Sequence, residues 1–301
     1  MLSTTAATSS PSRATEGVDL EDSAAAAVKK HHANAHYHTA PLGSLVGVAL
    51  AGGLAAGLVG SAFAFCPHGP VDLILDAEAY EAVSDDTDDS WGPADGAERN
   101  TLTVVGNVVF GVGYACVLLA AWTFGRKPVG GWRRGVLWGL ALFAAVFGAP
   151  AYGLPPELPG MAVTPLNDRQ GWWTLCVACT AAAQAVVALV DDASLRLRLP
   201  EAAAAESGKH ARTAARCALG LGLLVLPHTL GAPAADAAGA HEHAVPTELV
   251  AEFCSRVPAV LVVFFATLGG ATAEMFDRCG IYHFPGGEGH AAGEMHEDRM
   301  L

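Results

Sequence analysis

Six stretches of this chain contain no Asp, Glu, Lys or Arg: Leu42 to Phe65, Thr101 to Gly125, Gly135 to Pro156, Gln170 to Val190, Cys217 to Ala235 and Val257 to Ala273. A bilayer core about 30 Å thick takes roughly 20 apolar helical residues to cross, and each stretch fits that length. Buried helices of a soluble protein would keep a polar face at the helical period, whereas these blocks are apolar all round. Charged residues make up 16% of the chain, against about 25% for a soluble domain, and the deficit lies in these blocks. The expectation is an all-α, polytopic integral membrane bundle of about six transmembrane helices.

Small residues recur in the blocks, as in "LAGGLAAGLVG" (Leu50 to Gly60) and "FGVGY" (Phe110 to Tyr114), and let membrane helices approach closely. Orientation follows from Lys and Arg, which favour cytoplasmic loops. With the N-terminus inside, fourteen of the seventeen fall on the inner side and only Arg99, Arg169 and Arg256 on the outer. Both termini are therefore expected in the cytoplasm. The expected location is the cell inner or plasma membrane, or an organellar membrane in a eukaryote. The first block starts too far into the chain, and is too long, for a cleaved signal peptide.

Three regions are expected: a disordered tail over residues 1–40, a six-helix membrane domain over 41–276 and a flexible tail over 277–301. The first tail carries "HHANAHYH", with His31, His32, His36 and His38. Imidazole is a common metal ligand, but this run lies on the inner side and is an accessory metal collector at most.

The outer loops hold the stronger candidates. Pro67 to Asn100 contains ten acidic residues against the single Arg99, which raises the local concentration of cations. Within it, "SDDTDDS" (Ser84 to Ser90) reads as a solvated loop. "LILDAEAYEA" (Leu73 to Ala82) interleaves Asp76, Glu78 and Glu81 with apolar residues, predicting an amphipathic stretch against the membrane surface. In the second outer loop, Pro150, Pro155, Pro156, Pro159 and Pro165 end the third helix in a rigid turn that holds Glu157 and Met161 at the boundary. Trp172 and Trp173 then anchor the next helix at the interface.

His228, directly after Pro227, is the only histidine inside the six blocks, and polar groups at membrane depth are functional candidates by default. His241 and His243 follow in the third outer loop. The metal-site expectation is thus Asp76, Glu78, Glu81, Glu157, Met161, His228, His241 and His243. Such mixed N, O and S donors suit Co²⁺, and equally Ni²⁺ or Zn²⁺.

No P-loop, G-x-S-x-G or H-E-x-x-H occurs, and one histidine within the blocks is too few for paired haem ligation, so the reading is not an enzyme. No tightly bound cofactor is expected, and no nucleic acid among the partners. Seven cysteines are scattered; Cys176 and Cys179 read as packing residues inside a helix, and Cys66 and Cys254 both fall on the outer side.

"DAEAYE" (Asp76 to Glu81), "WGPADGAERN" (Trp91 to Asn100), "GLPPELPGM" (Gly153 to Met161), "RQGWW" (Arg169 to Trp173), "LPHTLGAP" (Leu226 to Pro233) and "AVPTELVAEF" (Ala244 to Phe253) occur in order between the apolar blocks. Together they resemble the CbtA-type predicted cobalt transporter subunit family over roughly Leu42 to Phe276. The resemblance implies cobalt uptake linked to cobalamin supply, and a small one-helix, histidine-bearing partner subunit. The His-bearing tails and the "SDDTDDS" insertion depart from the family pattern. The alternative is a non-transporting membrane scaffold or metal-sensing subunit with the same helices.

Overall fold

The computed structural model describes residues 41–81, 92–125, 129–159, 161, 164–188, 206–234 and 245–279; the side chains of 81, 125, 188 and 206–212 are outside the description. Among the described residues every regular element is helical. In chain order these are α1 (Leu42–Ala64), α2 (Pro70–Glu81), α3 (Ala97–Gly125), α4 (Trp132–Gly153), α5 (Leu166–Ala188), α6 (Glu206–Leu230) and α7 (Thr247–Arg278). Residues Leu42–Cys279 form one compact unit.

Five of these helices are long and apolar enough to cross a membrane: α1, α3, α4, α6 over Thr213–Leu230, and α7. The chain is an integral, multi-pass membrane protein. Its helices turn large apolar side chains outward, as with Leu42, Val46, Leu50, Leu54 and Leu58 at four-residue intervals along α1. In water such a stripe would be a liability; in lipid it is the outer surface.

α5, the expected fourth crossing, is not among the five. Its first residues, Leu166 to Gln170, are polar except for Leu166, and Leu189 and Val190 lie outside the described residues. Its packing is nevertheless that of a crossing. The Gln184 amide donates to the Ala141 carbonyl at 2.7 Å and the Trp173 indole to Val146 at 2.8 Å, so α5 runs antiparallel along α4. Trp172 meets His228 at one end of α6 while Val187 meets Gly220 further along, so that pair is antiparallel too.

Parity supports the same count. Gly52 lies against Thr272 and Gly60 against Phe264, so α1 and α7 are antiparallel and Leu42 and Arg278 sit at one end of the bundle. An even number of crossings does that, and among the described residues the five spans with α5 make six.

The core is a glycine-seamed group of α1, α3, α4 and α7. Gly53 and Gly57 of α1 receive Val112 and Val108 of α3, where a Cβ on Gly57 would come within 2.6 Å of the Val108 Cα. Gly139 of α4 lies on the Phe265 carbonyl of α7, with no room for a side chain. Such backbone approach lets dispersion contacts hold helices that the hydrophobic effect cannot drive together in lipid. Trp122, Trp138 and Phe276 stack edge-on where α3, α4 and α7 meet, with ring centroids 6.4 and 5.5 Å from Trp122. Beside them the Gly131 amide donates to an Asp277 carboxylate oxygen at 2.6 Å, tying the α3–α4 turn to the end of α7.

Candidate functional site

The end of the bundle expected to face outward is built by proline. α4 contains a π-turn at Ala144–Gly148 and runs through Pro150 to Gly153, ending just before Pro155 and Pro156 rather than at the first proline. Pro150 has no N–H to offer the carbonyl one turn back, Val146, and the Trp173 indole donates to that oxygen instead. The Trp172 indole donates to the Pro150 carbonyl at 3.2 Å. The Trp pair expected as interfacial anchors therefore clamps α5 onto the broken end of α4, with Trp172 buried and only Trp173 exposed. Gly153 makes room for this: a Cβ there would meet the Trp172 ring.

His228 sits in the last turn of α6, after the buried Pro227. Its imidazole is clasped edge-on by Tyr152 and Trp172, with ring centroids 5.1 and 5.5 Å away. Among the described residues, the contacts that orient the ring are aromatic.

Glu157 follows the double proline. Its neighbour Leu158 is buried with Leu73, Ala77, Val245 and Phe253, and the Pro156 carbonyl accepts the Cys254 thiol of α7 at 3.6 Å. Held on both sides, the Glu157 side chain is only 16% exposed, and its Oε2 lies 3.0 Å from Nη2 of Arg169 in α5. Arg169 and Trp172 are three residues apart and so neighbours on one helix face. Glu157 and His228 thus both stand against the first turns of α5.

The other candidates are placed differently. α2 packs Leu73 and Ala77 on protein, against the proline loop and the start of α7, and leaves Leu75 and Tyr80 exposed. Asp76 is exposed on this helix. Both oxygens of Glu78 accept hydrogen bonds from Nη1 of Arg99, at 3.0 and 2.8 Å. Met161 packs into the same apolar cluster, and its sulfur accepts the Leu158 amide at 3.2 Å. The Glu81 side chain, His241, His243 and the run His31, His32, His36 and His38 lie outside the described residues, as do "SDDTDDS", residues 1–40 and residues 280–301; the first two residues of the expected flexible C-terminal tail, Asp277 and Arg278, belong to α7.

Among the described residues no three His, Cys, Asp or Glu side chains converge tightly enough to hold a metal ion. The described cysteines are free; Cys66 bonds the Phe63 carbonyl and Cys254 that of Pro156, so these two do not pair with each other. Cys176 and Cys179 are both buried on the α5 face that also carries Trp172, Thr180 and Ala183.

The residues missed from sequence are Arg99 and Arg169. With Arg256, which meets Glu252 at 3.2 Å, every cation of the expected outer face is matched to a carboxylate. The signal was present in their scarcity on so acidic a face.

A family model described as "Probable cobalt transporter subunit (CbtA)" matches residues 42–277. The chain belongs to the CbtA family. The match covers the compact unit almost end to end, and with it every described element of the end expected to face outward, the expected outer cap. By that description the family's members are cobalt transporter subunits, for which cobalt is the substrate to be moved. Comparison with curated proteins and with solved structures finds no match.

Proposed function

We propose that this chain is the membrane-embedded subunit that carries Co²⁺ inward, with its entry site at the outer end of α5. The family match over residues 42–277 carries the reading. The geometry adds that Glu157 and His228 lie against the same helix end, just outside the glycine-seamed core. Asp76, with Glu81 and the acidic loop beyond it, raises the local concentration of the ion; Glu157 and His228 take it, with Met161, His241 and His243 as further ligands. Glu78 is assigned a different role, that of fixing α2 to α3 through Arg99.

The charge bias of Lys and Arg places both termini in the cytoplasm and the outer cap opposite, in the plasma membrane. An inside-negative potential then favours entry of a dication by about 4.6 kcal/mol per 100 mV, twice the value for a single charge. No nucleotide hydrolysis is required. His31, His32, His36 and His38 stand on the exit side, suited to passing the ion to a cytoplasmic acceptor or to a small histidine-bearing partner subunit, on the way to cobalamin synthesis. The N, O and S donors admit Ni²⁺ and Zn²⁺ as competitors.

The test is uptake of radiolabelled Co²⁺ by cells expressing Glu157→Gln and His228→Ala at matched membrane levels. Both should lose most of the uptake. Unchanged uptake in both would remove these residues from the route.

A further inference from the structure

The two long-range ion pairs of the outer cap are built differently. Arg99 meets Glu78 through aligned hydrogen bonds to both carboxylate oxygens, and Asp95 stands 3.3 Å away as a second acceptor. Arg169 meets Glu157 by proximity alone: Nη2 is 3.0 Å from Oε2, yet that oxygen, sealed from solvent, accepts no hydrogen bond among the described residues. An enclosed carboxylate oxygen without an aligned donor needs a positive charge beside it. Arg169 supplies one from an arm that is itself 41% exposed, so the guanidinium can withdraw into water at little cost while Glu157 stays where the proline loop holds it.

From this we infer that Arg169 is a built-in stand-in for the transported cation. It neutralises Glu157 in the empty protein and is displaced when a divalent ion takes Oε2. The inference rests on Glu157 being a ligand. Its consequence is a site that binds weakly enough to release: each entering ion must compete with a tethered cation, and ions must leave a transport site as readily as they enter it. The exchange also turns a neutral pair into a site of net charge +1 with a free guanidinium nearby, which pushes the ion onward.

Binding of CoCl₂ to the purified full chain in lipid nanodiscs, followed by calorimetry, tests this through a double-mutant cycle. Arg169→Gln should bind Co²⁺ roughly tenfold more tightly and Glu157→Gln roughly tenfold more weakly, a factor of ten being about 1.4 kcal/mol. In the Glu157→Gln background, Arg169→Gln should change nothing further. If Glu157→Gln weakens binding while Arg169→Gln leaves it equal or weaker, the stand-in role is overturned and Glu157 remains a ligand. If Glu157→Gln binds as the parent does, both ideas fall. A measurement on the unmutated protein covers the case of a variant that does not fold. Modification of Arg169 by phenylglyoxal, read by mass spectrometry, should speed up severalfold on adding saturating CoCl₂; an equal or slower rate would contradict displacement.

Discussion

The bundle has two halves held by opposite means. Where α1, α3, α4 and α7 meet, contact is backbone on backbone: Gly53 and Gly57 against Val112 and Val108, Gly139 against the Phe265 carbonyl. At the outer end of α4, α5 and α6 contact is polar and aromatic: indole to carbonyl, imidazole to ring, carboxylate to guanidinium. The first kind leaves no room for alternatives, because interpenetrating surfaces either fit or do not. The second can exchange one partner for another without moving a helix. The proposed ion site, with His228 and Glu157, lies on the second kind of surface.

The contrast is most easily broken from the rigid side. Gly139→Leu forces a side chain into the Phe265 carbonyl and should abolish folded protein, seen as loss of the monodisperse peak in fluorescence-detected size exclusion; a normal peak would show that the seam tolerates separation. Next in size, His228→Ala should cut Co²⁺ uptake at least tenfold while leaving that peak unchanged, since its ring contacts are peripheral to the core. A smaller effect is expected for Trp173→Phe. It leaves the Val146 carbonyl without its indole donor at the break in α4, which costs about 1 kcal/mol and lowers the melting temperature by a few degrees. Smallest is Arg99→Gln, which removes a solvent-screened ion pair and should leave uptake within about twofold of the parent. A large loss of uptake in that variant would show that α2 does more than cover the cap.

The rigid half was largely legible in the sequence, because freedom from charge and clustering of small residues are local properties that a window of about 20 residues displays. The apolar residues by which α2 packs, Leu73 and Ala77, were legible within the same window, though what they pack against was not. The pairing of α1 with α7 joins the first described helix to the last, and no periodicity reports it. The same holds for Arg99 with Glu78 and Arg169 with Glu157, which unite different elements. Pro150 announced a break in α4, but the remedy, an indole from α5 donating to Val146, depends on a packing that only the fold supplies. His228 stood out early because a lone imidazole in an apolar block is rare; the aromatic clasp around it did not. The expected ligands His241 and His243 lie outside the described residues, so the site rests on Glu157 and His228.

The central claim is that this chain itself moves the ion, through Glu157, rather than serving as a scaffold for something that does. The direct measurement is Co²⁺ influx into proteoliposomes containing only the purified chain under an inside-negative potassium diffusion potential. Saturable influx that rises with the potential, and is lost in Glu157→Gln, is the predicted result. Influx no greater than that of protein-free vesicles would contradict the account.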